Sequence, residues 1–233
     1  MQQRTTLALA AAALALLAQL PAHAASVTSD AGFVGAKVIT FNGYDGLIGT
    51  GPEDVGAEVG ESVLFTSAPF TELGANAREL GENGLWGARG NPVDGLVDTP
   101  TGNGNFVASG FIGNSGELGF RFGSGMAGVG AYLNQFQIDG VSNSFTLLAY
   151  GQSGNVLETT TVSIDTDAYG YNEGSFLGFQ RASADIYGFG IAGNGIVLDN
   201  LTFTTAVPEP ESYALLLAGL GVVGLLVRRR RAD

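Results

Sequence analysis

Apolar and polar residues alternate through the middle of the chain, in short runs separated by glycine-rich turns. Leu118, Phe120 and Phe122 occupy every second position, which predicts a strand with one buried face. Thirty-seven glycines disfavour helices, and a sustained apolar run of helical type occurs only at the two termini. Runs rich in β-branched and aromatic residues predict further strands at 37–41, 62–66, 129–138, 144–150, 156–164, 175–179, 186–191 and 196–204. We therefore predict an all-β domain over residues 25–206, folded as a jelly-roll-like β-sandwich.

The last predicted strand changes phase half-way along its length. In a regular strand, Ile196 and Leu198 would lie on one face, whereas Leu201 and Phe203 would lie on the other. The change falls on Asp199-Asn200. We therefore predict a bulge or bend that redirects these two polar side chains.

Residues 67–104 show almost no periodic apolar pattern and would form an unusually long loop. Either strands are hidden in this segment, or the loop has a function. The segment contains Trp86, the one tryptophan, with Arg89 three residues later. An indole beside charged and amide groups suits stacking on a sugar ring, so Trp86 and Arg89 are candidate glycan contacts. The alternative is a buried tryptophan that closes the end of the sandwich.

Composition narrows the chemistry that the domain can perform. The chain has no cysteine, and its one histidine, His23, lies in a segment that we expect to be removed. Ser-His-Asp triads, thiol nucleophiles and imidazole-bound zinc are therefore excluded from residues 25–206. That region holds nineteen acidic and five basic residues, a net charge of −14. Such a charge argues against nucleic acid as a partner, because nucleic acid requires a basic surface.

Residues 1–24 have the three parts of a secretion signal. Arg4 precedes an Ala/Leu run at 7–20, and Ala22-His23-Ala24 supplies a small-x-small cleavage site. We predict a signal-peptide helix, with Ala22 and Ala24 recognised at cleavage. An uncleaved membrane helix is the alternative, but the apolar run is short and ends at a proline.

Residues 207–233 also contain three parts in a fixed order. Val207 is followed by Pro208, Glu209 and Pro210, and two prolines favour an extended, accessible backbone. The uncharged stretch 213–227 predicts a single short transmembrane helix of roughly 22 Å, at about 1.5 Å per residue. The positive-inside rule places the arginines that follow it on the cytoplasmic side. These are Arg228, Arg229, Arg230 and Arg231.

This order of parts resembles the PEP-CTERM sorting signal of Gram-negative bacteria. Proteins that carry it are handled by an exosortase, a membrane-embedded cysteine transpeptidase. The resemblance implies transient anchoring in the inner membrane, processing near the Pro-Glu-Pro triplet, and delivery to the cell surface or extracellular matrix. An ordinary C-terminal anchor is the alternative.

A weaker resemblance covers residues 128–204, whose closing sequence IVLDNLTF resembles that of carbohydrate-binding jelly rolls. In those domains an aspartate of the last strand helps to hold a structural calcium ion. Asp199 and Asn200 are therefore a candidate calcium position, with a simple strand-end turn as the alternative. No other cofactor is expected.

Three classes of function stay open. The resemblance favours a non-catalytic exported protein associated with exopolysaccharide or biofilm. The second class is a carbohydrate-binding module that uses the Trp86 segment. The third is a secreted glycoside hydrolase built on two carboxylates, which sequence spacing cannot locate among nineteen acidic residues.

Overall fold

The computed structural model describes residues 25–44, 46–48, 51–67, 71–75, 98–99, 102–103, 106–109, 115–135, 144–164, 175–205 and 219. The predicted signal peptide lies outside these residues, as does the predicted sorting tail apart from residue 219. No helix within the described ranges has the length and apolar character needed to cross a membrane.

Strands dominate the described ranges. In chain order they are β1 (Ala25–Val27), β2 (Lys37–Ile39), β3 (Leu47–Ile48), β4 (Glu53–Asp54), β5 (Val63–Thr66), β6 (Thr71–Ala75), β7 (Asp98–Thr99), β8 (Gly102–Asn103), β9 (Phe106–Ser109), β10 (Ser115–Met126), β11 (Gly128–Gln135), β12 (Ser144–Tyr150), β13 (Val156–Ser163), β14 (Ser175–Gln180), β15 (Ile186–Asn194) and β16 (Ile196–Thr204). A short 3-10 helix, Val55–Val59, follows β4.

The strands form two antiparallel sheets that pack face to face. The eight-stranded sheet has the order β1-β14-β11-β16-β9-β6-β3, with β2 also paired to β16. The six-stranded sheet has the order β13-β12-β15-β10-β5-β4. Strands β7 and β8 pair with each other. The all-β prediction is confirmed as a β-sandwich, and jelly-roll connectivity stays a prediction.

Phenylalanine rings fill the space between the sheets. Phe122 of the six-stranded sheet lies 5.2 Å from Phe203 of the eight-stranded sheet, and Phe189 lies 6.4 Å from Phe179 across the same interface. Because each buried aromatic side chain removes a large apolar area from water, these rings supply much of the energy that holds the sheets together.

The predicted alternation of β10 is confirmed. Leu118, Phe120 and Phe122 are buried in the core, whereas the residues between them lie on the outer face of the sheet. Strands β12 and β16 begin and end at the predicted residues, and β13 ends one residue early. Strand β6 lies within 67–104, so at least part of that segment was hidden strand.

Strand β16 is buried along its whole length and carries an irregularity at its middle. Its pairing with β11 shifts between Gly130 and Tyr132, and Asn200 has a positive φ of 49°. Between these two pairs β16 has one residue more than β11. This extra residue resets the alternation of inward-facing and outward-facing side chains along β16. Regular spacing would separate the apolar pairs onto two faces, but the bulge brings all four into the core between the sheets. They are Ile196, Leu198, Leu201 and Phe203.

The start of β1 and the end of β16 lie at the same end of the strands of the eight-stranded sheet. Ala25 pairs with Gln180, Gln180 with Gly128, and Gly128 with Thr204. Three strand spacings of about 4.8 Å each separate the first and last of these residues. The chain therefore enters β1 and leaves β16 at the same end of this sheet.

Replacing Asn200 tests the importance of the bulge for stability. Asn tolerates the left-handed region better than Ala, and Gly adopts it without strain. We expect Asn200→Ala to lower the free energy of unfolding by about 1–3 kcal/mol. We expect Asn200→Gly, which removes the same side chain, to lower it less. Urea unfolding of both variants measures the difference, and equal losses would show that backbone strain is unimportant here.

Candidate functional site

The outer face of the six-stranded sheet carries three cross-strand rows of side chains around a glycine centre. One row runs Tyr150, Gly188, Arg121 and Leu64; the next runs Leu148, Gly190, Gly119 and Thr66; the third runs Thr146, Ala192 and Glu117. The alternate residues on each strand are buried in the core, so the residues of the three rows face away from it. The glycines leave a trough between taller side chains.

Tyr150 lies across this trough. Its Cβ is 3.2 Å from the position that a Cβ on Gly188 would take, and its Cε2 is 2.9 Å from that of a Cβ on Gly190. Its hydroxyl donates a hydrogen bond of 2.9 Å to Glu117 Oε1. The half-buried ring therefore bridges from β12 over β15 to β10, and a Cβ added at Gly188 or Gly190 would crowd it.

The phenol of Tyr150 is held in its neutral form. Burial, followed by the hydrogen bond to Glu117 and the charge of that carboxylate, raises the pKa of Tyr150 to about 12. At physiological pH the hydroxyl is consequently a donor, and Glu117 is oriented by it.

Two cavities with shared lining residues lie on this face, and we call them together the tyrosine groove. Both are lined by Gly151 and Tyr187. The smaller, of about 280 Å³, contains Tyr150, Glu117 and Arg121. The larger, of about 600 Å³, is bordered by the loops after β12 and β14. It is lined by Gly151, Gln152, Ser153, Asn155, Leu157, Ala184, Asp185 and Tyr187.

Two irregularities in the sheet border the groove. The β10–β15 register shifts between Arg121 and Met126, and the β12–β13 register shifts between Ala149 and Tyr150. Tyr187 falls at the first shift, between two residues of β15 that are paired with β10. Bulges of this kind redirect side chains, and here they bring two tyrosines to one groove.

The turn after β12 supplies the polar wall of the larger cavity. It is closed by a bond from the Gly151 N–H to the Asn155 carbonyl oxygen, 2.8 Å, and Gly154 adopts a φ of 79°. The Ser153 hydroxyl donates to Asn155 Oδ1 at 2.6 Å. This turn presents amide and hydroxyl groups beside the aromatic rings.

An arginine clamp fixes the opposite wall. Arg181 donates to both carboxylate oxygens of Asp185, at 2.6 and 3.0 Å, and also pairs with Glu158 of β13. The hydrogen bonds that Arg181 donates to Asp185 raise the pKa of Arg181, which strengthens its preference for the charged form. The loop after β14 is thereby tied to the edge of the six-stranded sheet.

The residues singled out from the sequence lie elsewhere. Asp199 and Asn200 belong to the other sheet, where Asp199 is fully buried and its carboxylate accepts the Asn200 N–H at 2.6 Å. The described residues contain no group of three His, Cys, Asp or Glu side chains that could hold a metal ion. Trp86 and Arg89 lie outside the described residues, as do Ala22, Ala24 and the sorting residues.

Sequence reasoning missed the tyrosine groove, although one signal for it was available. The alternation that buries Leu118 and Phe120 also places Glu117 and Arg121 together on the outer face. Glu117 and Arg121 lie near Tyr150 because β10 and β12 both pair with β15. Residue spacing along the chain does not reveal this pairing.

Comparison with known proteins identifies the tail. A family model described as the PEP-CTERM protein-sorting motif matches residues 206–231. The chain therefore carries the sorting signal of an exported protein that is directed to the cell surface. No curated protein matches the chain.

Two solved structures have similar regions. A carbohydrate-binding module, CsCBM6-3 from Clostridium stercorarium in complex with cellobiose, is 17% identical over 44% of this chain and 76% of that chain, with a TM-score of 0.29. The K2 cleaved adhesin domain of Lys-gingipain is 14% identical over 74% of this chain and 99% of that chain, with a TM-score of 0.38. Both scores are too low to support an inference about ligand or activity.

The Tyr150–Glu117 bridge can be tested by titration. We expect the Tyr150 phenol to stay protonated at pH 11, where exposed tyrosines with a pKa of about 10 have ionised. Glu117→Gln removes the carboxylate charge, so the pKa of Tyr150 should fall, while burial keeps it above the ordinary value. Tyrosine Cζ chemical shifts between pH 8 and 11 measure this, with Tyr150→Phe identifying the resonance. Unchanged titration in Glu117→Gln would contradict the bridge.

Proposed function

We propose that this chain is a non-catalytic surface protein, processed by an exosortase, that binds carbohydrate through the tyrosine groove. The proposal rests on one observation above all. The ring of Tyr150 lies on a glycine floor, beside groups that donate and accept hydrogen bonds. The apolar face of a sugar requires a flat aromatic surface, and its hydroxyls require such polar neighbours.

The pre-formed geometry of the platform favours binding. The hydrogen bond to Glu117 and the contacts with Gly188 and Gly190 restrict Tyr150 before a ligand arrives. Little side-chain entropy is then lost when a ligand stacks on the ring. Two neighbouring cavities, of about 600 and 280 Å³, also suit a ligand of more than one sugar unit.

The carboxylates of the groove favour binding over hydrolysis. A glycoside hydrolase needs two carboxyl groups that are available to the scissile bond. Asp185 has both oxygens engaged by Arg181, and Glu117 accepts the hydrogen bond from Tyr150. These contacts give each carboxylate a positioning role.

The connection between domain and tail supports processing close to the folded surface. Strand β16 ends at Thr204, and the sorting motif begins at residue 206. We propose transient anchoring in the inner membrane, followed by delivery of the domain to the cell surface or extracellular matrix. There the groove would contact exopolysaccharide, which is consistent with a role in biofilm.

Structural calcium at Asp199 and Asn200 stays a hypothesis from the sequence. Titration of the calcium-free protein with CaCl2 tests it. A rise in Tm that Asp199→Asn abolishes would support a bound ion, and an unchanged Tm would remove the hypothesis.

Gly190→Ala should weaken carbohydrate binding and leave the fold intact. The added methyl group would lie 2.3 Å from Glu117 Oε1 and 2.9 Å from Tyr150 Cε2, so both side chains must move. We expect affinity for a responsive oligosaccharide from a glycan array to fall about tenfold, the scale of one lost aromatic contact. Gly43→Ala is the control, because no atom lies within 4 Å of its added Cβ. Equal affinity in the two variants would argue against the groove.

Replacing the triplet tests the sorting proposal. With Pro208, Glu209 and Pro210 changed to alanine, we expect the full-length protein to accumulate in the inner membrane fraction. The reason is that an exosortase requires the extended triplet for processing. Immunoblots of membrane, surface and medium fractions measure the distribution. Normal processing and surface delivery of the triple variant would contradict the proposal.

A further inference from the structure

We infer that the tyrosine groove selects an acidic saccharide, a chain containing uronic acid, and that Arg121 binds its carboxylate. This inference rests on the proposed function and adds the chemical class of the ligand.

Arg121 differs from the other basic residues in the described ranges. Lys37 pairs with Glu61, and Arg181 pairs with Asp185 and Glu158. Arg121 is exposed and forms no ion pair with any residue that the structure describes. Its guanidinium group is therefore available to a ligand.

The surroundings of Arg121 favour a sugar carboxylate. Gly188 and Leu64 flank it on the adjacent strands, and the Tyr150 platform lies beyond Gly188, two strand spacings or about 10 Å away. Leu64 is 39% exposed and offers an apolar edge beside the guanidinium. A ligand that stacks on the tyrosine can thus place a neighbouring carboxylate against Arg121.

Selectivity for an acidic saccharide must come from short-range contacts within the groove. The exported region has a net charge of −14, so its overall field repels an acidic chain. Glu117 lies four residues from Arg121 on the same strand, about 13 Å away at 3.3 Å per residue, and is occupied by Tyr150. A paired guanidinium–carboxylate contact at Arg121 can overcome the repulsion, because it is directional and charge-assisted.

The test compares matched ligands on the full-length chain in neutral detergent. Alginate, polygalacturonate and hyaluronan oligosaccharides are each measured by calorimetry beside their carboxyl-reduced, uncharged forms. We expect at least one acidic form to bind about tenfold more tightly than its reduced form, as one charge-assisted pair would give. Arg121→Gln should abolish this preference. Arg121→Lys should retain part of it, since the charge remains but the planar fork is lost.

The outcomes separate this inference from the proposed function. Equal binding of acidic and reduced forms, unchanged in Arg121→Gln but lost in Tyr150→Ala, would overturn the inference and leave carbohydrate binding standing. Preference for acidic forms that persists in Arg121→Gln would also overturn it. Absence of binding to every oligosaccharide, acidic or reduced, would overturn both.

Discussion

The packing of phenylalanine rings between the two sheets determines the rest of the structure. Once Phe120 and Phe122 of β10 and Phe189 of β15 enter the core, the residues between them must face the other way. Glu117, Arg121 and the central glycines are placed on the outer face for this reason. The floor of the groove is therefore a consequence of the core, because the alternation that buries the rings turns these residues outward.

The bulge at Asn200 also follows from the requirement that apolar side chains face the core, and here the requirement is met at the cost of backbone strain. Four apolar residues of β16 reach one core because a single extra residue resets the phase. The cost is a non-glycine residue in the left-handed region, together with the burial of Asp199 and Asn200. Buried polar groups at this position serve the packing of β16, and they lie on the opposite sheet from the groove.

Much of the fold could be predicted from the sequence, because strand periodicity is a local signal. Strands β12 and β16 and the alternation of β10 were readable from apolar spacing. Strand β6 was not, since the five residues TELGA contain no β-branched or aromatic run beyond its first threonine. The groove could not be predicted from the sequence for a different reason. Tyr150, Gly190 and Glu117 meet only through long-range strand pairing, whereas Trp86 is conspicuous in the sequence by itself.

The outer face of the six-stranded sheet is where we expect the ligand to bind. Backbone amide spectra of the secreted form, recorded during titration with an oligosaccharide that binds, test it most directly. We expect shifts concentrated at Gly119, Gly188, Gly190 and Arg121, with β16 unaffected. Shifts confined to the segment around Trp86, with these four amides unchanged, would contradict it.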